Sequence, residues 1–145
     1  MAHFANIDKI TKKVTRVLVI NDSDCLDENG NESETVGANF CKSNFGGEWK
    51  QTSYNANIRG NYAGVGYSYL TDVATLGVGT TDVFMPPKKY ESWSLSTTVA
   101  EWVSPLGPMP ILTDEQIASR SRYIWNEDAY QADNTTGWEL VTFDE

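Results

Sequence analysis

Apolar positions along this chain fall into short alternating runs separated by polar, turn-forming clusters, and long helical stripes are scarce. The segment from His3 to Asn21 opens as a strand, turns near Asp8 to Lys13 and returns through Val14, Val17, Val19 and Ile20, whose branched side chains suit a pleated surface. This predicts a hairpin. Residues 21 to 32, NDSDCLDENGNE, are turn formers almost throughout and read as a surface loop. From Ser33 the pattern changes: Val36, Phe40 and Phe45 recur at near-helical spacing, Ser33 is an N-cap residue and Gly46-Gly47 closes the segment as a C-cap does. One short helix is predicted there.

The same logic carries through the second half. Tyr67 to Pro87 offers two β-prone arms around a Gly77 to Asp82 turn region. Tyr90 to Pro105 places Trp93, Leu95 and Trp102 around a polar middle, a third hairpin in which the two indoles are expected close together on adjacent strands. Leu106 to Ile111, with Pro108 and Pro110, reads as an extended linker. Thr113 with Gln116 forms a capping box that opens a short helix to about Ser121. Tyr123 to Phe143 then pairs YIW with WELVTF across a polar turn. The predicted fold class is mainly β with one or two short helices, an α+β fold built as a small antiparallel sheet or hairpin array. Residues 1–105 are read as a β-rich aromatic core domain with its helix near 33–45. Residues 106–145 are read as a linker, a short helix and a C-terminal β-hairpin packed on the same domain.

One stretch stands apart from this regular alternation. Trp49 to Tyr69, WKQTSYNANIRGNYAGVGYSY, gathers one Trp and four Tyr among Gln51, Asn55, Asn57 and Asn61, with three glycines and no carboxylate. Rings beside amides describe either the filling of a thin core or a wet-edged interface. The candidate interface residues are Trp49, Gln51, Tyr54, Asn55, Arg59, Tyr62, Tyr67 and Tyr69, joined by Trp93 and Trp102.

Charge narrows the partners. The chain of 145 residues carries a formal net charge of -9, which repels phosphate backbones unless basic residues segregate, and Lys9, Lys12, Lys13 and Arg16 form the one such group noted. No nucleic-acid or membrane partner is expected. The acids bunch at Asp22 to Glu34 and Glu127 to Glu145, runs expected to be solvated. No membrane-length apolar run and no charged-then-apolar leader is visible, so a soluble, cytoplasmically made protein is the expectation. Cys25 and Cys41 are too few for a disulfide framework and lack metal spacing; two free thiols are expected.

Catalytic patterns start in several places and none completes. His3 is the single histidine, so triads have no second base to choose from. Gly66-Tyr67-Ser68-Tyr69-Leu70 misses the nucleophile elbow at its last position, and Gly64-Val65-Gly66 lacks the third glycine of a dinucleotide fingerprint. Counting an EF-hand loop from Asp27 puts Glu32 where glycine is required. The reading is therefore non-enzymatic, with no catalytic residue, no metal and no cofactor.

MAHFA at Met1 to Ala5, WKQTSYN at Trp49 to Asn55, R-x-NYAG-x-GY-x-Y at Arg59 to Tyr69, PP-x-x-Y-x-SW-x-L at Pro86 to Leu95 and W-x-x-P at Trp102 to Pro105 together resemble a family of short proteins of marine tailed phages, notably cyanophages. Thr71 to Thr81 looks longer, and Leu106 to Arg122 looks inserted, relative to that pattern. The resemblance implies a component of a phage particle and supplies no site residues of its own. The expectation is a virion structural protein, foremost a capsid decoration or accessory subunit whose aromatic β surface docks on other virion proteins. A tail or tail-fibre-associated protein and a glycan-binding module for host attachment are the alternatives, and each leaves room for a homo-oligomer.

Overall fold

The computed structural model describes residues 1–73 and 81–143. Most of the turn expected from Gly77 to Asp82 lies outside them. The backbone gathers into two compact units, Met1–Pro87 with Ser96–Glu101, and Lys88–Leu95 with Trp102–Glu145.

In the first unit, β1 (Ala2–Ile7) and β2 (Val14–Ile20) form the predicted hairpin, helix α1 (Glu34–Phe45) follows, and β3 (Glu48–Thr52) returns beside β1. The sheet is antiparallel in the order β2-β1-β3. The central strand β1 sends alternate residues to opposite faces, as the pleat demands. Ala2 and Phe4 join Ile20, Cys25, Cys41 and Trp49 in one cluster, with Ala38 and Phe40 of α1 packed against it. Ala5 and Ile7 join Val14, Ala63 and Phe84 in the other, with Tyr67 and Tyr69 packed alongside. The aromatic stretch therefore lays its second half across the face of the sheet opposite α1.

The helix forms where its caps stand. Ser33 accepts the Val36 N–H, and Gly46, at φ +70, donates its own N–H to the Lys42 carbonyl. Gly37 is required by contact: a Cβ there would come within 2.4 Å of the Phe4 ring. The expected loop before α1 contains a short 3-10 turn, Asp22–Cys25. Strands β4 (Ser68–Leu70) and β5 (Val83–Met85) pair antiparallel as the second hairpin, with β5 wholly buried.

In the second unit, β6 (Ser94–Leu95) pairs with β7 (Trp102–Val103), but the register places Leu95 opposite Trp102. Trp93, expected on the strand beside Trp102, falls outside the ladder. It lies before the paired residues and packs on Trp125 and Trp138, with ring centroids 5.7 and 5.8 Å away. Helix α2 (Asp114–Ala118) has the full capping box of Thr113 and Gln116. It stops short of Ser121, because Arg120 takes φ +58 and turns the chain into β8 (Ser121–Trp125). β8 pairs with β9 (Trp138–Thr142) as predicted. The connection is not a simple turn: helix α3 (Glu127–Ala132) occupies it, capped by Asn126, whose side chain accepts the Ala129 N–H.

Among the described residues there are thus three α-helices, one more than the upper expectation, and several small antiparallel sheets. The fold class is mainly-β α+β, as the alternation indicated. No helix of the described residues is long and apolar enough to cross a membrane.

Candidate functional site

Strand β3 runs into a loop that carries Tyr54, Asn55, Arg59 and Tyr62 before the chain reaches β4. Two non-glycine residues in this loop occupy the left-handed region, Ala56 at φ +61 and Arg59 at φ +54. Such conformations cost on the order of 1 kcal/mol each and persist only where surrounding contacts impose them. Those contacts converge on Arg59. Its Nη1 lies 2.7 Å from Glu34 Oε1, its Nη2 3.1 Å from Glu34 Oε2 and its Nε 2.8 Å from Asp82 Oδ2. Nη1 also donates to the Gln51 carbonyl at 2.9 Å.

Burial opposes the Arg59 charge, but the hydrogen bonds to Glu34 and Asp82 outweigh it and hold the guanidinium firmly protonated. Asp82 also accepts the Tyr69 hydroxyl at 2.6 Å. Burial first, and that bond second, push the Tyr69 phenol up to about 12. The Gln51 N–H donates to Glu34 at 2.8 Å, so both backbone groups of Gln51 on the edge strand β3 are engaged by Glu34 and Arg59.

Asn61 anchors the far end of the loop. Its amide donates to the carbonyls of Phe84 and Ala100 at 2.8 and 3.0 Å, while Thr52, 1% exposed, donates to the Asn61 carbonyl and accepts the Ala63 N–H. The loop is fastened on both sides of its apex, and the apex faces outward. Tyr54 is 71% exposed and Tyr62 41%. Both rings flank His3 on β1, at 5.8 and 5.6 Å between centroids, the Tyr62 contact edge-to-face. Asn55 is exposed beside them and accepts a hydrogen bond from the Ser53 hydroxyl.

The ten residues singled out by sequence thus divide. Tyr54, Asn55 and Tyr62 form an exposed group around the half-buried His3, which composition alone did not place there. Trp49 is 4% exposed, packs beneath α1 and donates its indole N–H to the Gly46 carbonyl at 2.6 Å; no partner can reach it. Arg59 and Gln51 hold the loop. Tyr67 and Tyr69 pack against the core, with Tyr69 5.4 Å from Phe84. Trp102 is half-buried and carries Lys88 over its ring at 5.7 Å. Trp93 belongs to a ring cluster with Tyr90, Trp125 and Trp138, and its enclosed indole N–H has no acceptor among the described residues.

Sequence reasoning missed Glu34, Asp82 and Glu127. Glu34 and Glu127 sit in the two acid runs expected to be solvated, and both are recruited into structure. Glu127 accepts from the Ser92 hydroxyl, the Trp125 indole and the Gln131 amide, which together push its carboxyl down to about 2. The N-cap position of Asn126 was the available signal. The thiols are free, as expected: Cys25 and Cys41 sit in one apolar cluster, and burial raises both above the usual thiol range. No group of three His, Cys, Asp or Glu among the described residues could hold a metal ion.

The class defined by these elements is a small mainly-β α+β protein that presents two exposed tyrosines, Tyr54 and Tyr62, on a braced loop beside the half-buried His3 of β1. No protein-family profile, curated protein or solved structure matches the chain.

Proposed function

We propose that this chain is a non-enzymatic structural subunit of a phage particle that docks on other virion proteins through the exposed rings of Tyr54 and Tyr62, which flank His3. The observation that carries the reading is the pairing of outward-facing rings with a strained backbone fastened on both flanks. Rings held this way lose little freedom on binding, which is how aromatic anchors contribute most to an interface. The motifs WKQTSYN and R-x-NYAG that carry the phage resemblance contain these two tyrosines and the residues that brace them, Arg59 and Asn61. Decoration of the capsid is the leading placement and a tail position the alternative.

Copy number in purified particles, relative to the major capsid protein, tests the reading. Hundreds of copies support decoration, about a dozen or fewer place the subunit on the tail, and absence from particles overturns the proposal. Tyr54→Ala with Tyr62→Ala should leave the isolated protein folded and weaken attachment by about thirtyfold, the share of one strong aromatic anchor of roughly 2 kcal/mol.

A further inference from the structure

A second surface of the first unit carries a different chemistry. A cavity of about 220 Å³ is lined by Ile7, Lys9, Lys12, Glu48, Lys50 and Tyr69. Three lysines line one depression in a chain whose net charge is -9. Among the described residues none of the three is in an ion pair; Glu48, the one carboxylate of the lining, lies 4.0 Å from Lys42 outside it. Against the three lysines the lining holds one carboxylate, Glu48, so the depression carries a net positive charge that an anion would balance.

The lysines come from two segments, Lys9 and Lys12 from the β1–β2 turn and Lys50 from β3. Asp8 accepts the N–H groups of Ile10 and Thr11 at 2.9 and 2.8 Å, and the Lys12 N–H donates to the Asp8 carbonyl, which closes the β1–β2 turn. Lys12 is thereby forced to φ +60, and its carbonyl accepts the Tyr69 N–H at 2.8 Å. Lys50 lies opposite Ala5 in the β1–β3 ladder, and Glu48 opposite Ile7. By strand alternation these share the face on which Ala5 and Ile7 meet Tyr69.

From this geometry we infer that the cavity binds the phosphate group of a small phosphorylated organic molecule. Lysine is a compact point charge with no planar fork, which suits a tetrahedral oxyanion better than the bidentate grip a carboxylate takes from arginine. The Tyr69 hydroxyl is engaged by Asp82, so the tyrosine offers its ring as an apolar wall together with Ile7. The volume lies below the range of drug-sized sites, which limits the ligand to a few heavy atoms beyond the phosphate. A polynucleotide is disfavoured, because the acidic remainder of the surface repels an extended phosphate backbone. This site is independent of the docking reading and stands or falls separately.

The test is a titration of the full chain with inorganic phosphate at constant ionic strength, followed by backbone amide NMR. Saturable shifts at residues 9–12, 48–50 and 69 are expected. Lys50→Gln should weaken binding about fivefold, the share of one exposed charge pair. Lys12→Gly removes a second ammonium while relieving the left-handed backbone, so it should weaken binding similarly without loss of fold. Lys89→Glu, which alters net charge outside the lining, should leave the affinity unchanged. Shifts that never saturate, that sodium acetate reproduces equally, or that survive Lys50→Glu would overturn the assignment.

Discussion

Replacing Arg59 by methionine is the most informative single perturbation of the braced loop. The substitution keeps much of the length of the side chain and removes the guanidinium, which leaves Glu34 and Asp82 facing the space it filled. Removing one partner of a fully buried ion pair costs about 3–5 kcal/mol. Arg59 is 13% exposed and Asp82 27%, but Glu34 is 36% exposed, so water recovers part of its solvation. A loss of about 2 kcal/mol is therefore expected, roughly half of the fully buried figure.

The assay is urea unfolding followed by circular dichroism, where the midpoint should fall with little change of slope. A double-mutant cycle with Glu34→Gln isolates the pair: neutralising Glu34 should cost stability in the native chain and little or nothing in the Arg59→Met background, where its charge is already unpaired. The reasoning is refuted if Arg59→Met costs less than about 0.5 kcal/mol, a typical surface substitution, or if Glu34→Gln costs the same in both backgrounds. Because Arg59 closes the loop on Asp82 and on the Gln51 carbonyl, the same variant should broaden the amide signals of Tyr54 and Tyr62.

Three further outcomes are expected. Gly37→Ala gains about 1 kcal/mol of helix propensity but sets a methyl 2.4 Å from a fully buried Phe4 ring; a net loss of about 1–2 kcal/mol should appear in thermal unfolding, and Phe4→Leu in the same chain should reduce the penalty of the alanine. The Glu127 carboxyl is held at about 2 against an ordinary 4.5, so its contribution is complete above pH 4.5 and fades as pH falls towards 2; near-ultraviolet dichroism of the tryptophan cluster should weaken across that window in the native chain and not in Glu127→Gln, and an identical acid profile in the two would contradict this. Cys25 and Cys41 are 3% and 0% exposed, with thiols raised by burial; a thiol-alkylating reagent should label them on the order of a hundredfold more slowly in the native protein than in urea, and equal rates would contradict the burial.

Local chemistry wrote much of this fold into the chain. The β1–β2 hairpin, the Ser33 and Gly46 caps, the Thr113–Gln116 box and the pairing of β8 with β9 were each legible because alternation, capping and turn preference act between residues close in sequence. Helix α3 was hidden because Asn126, Glu127 and Asp128 suit a turn as well as a helix start.

What tertiary structure alone decided is which rings face water. Trp49, Tyr54, Tyr62 and Tyr69 are indistinguishable by composition, yet two are taken into the packing and two are left outside. That division follows from contacts between distant residues: Arg59 reaching Glu34 and Asp82, Asn61 reaching Phe84 and Ala100, and the sheet offering one face to α1 and the other to Tyr67 and Tyr69. The chain by itself determines the inventory of rings and the period of each strand, whereas exposure is a property of the assembled surface, set only when segments far apart in the chain compete for the same limited core.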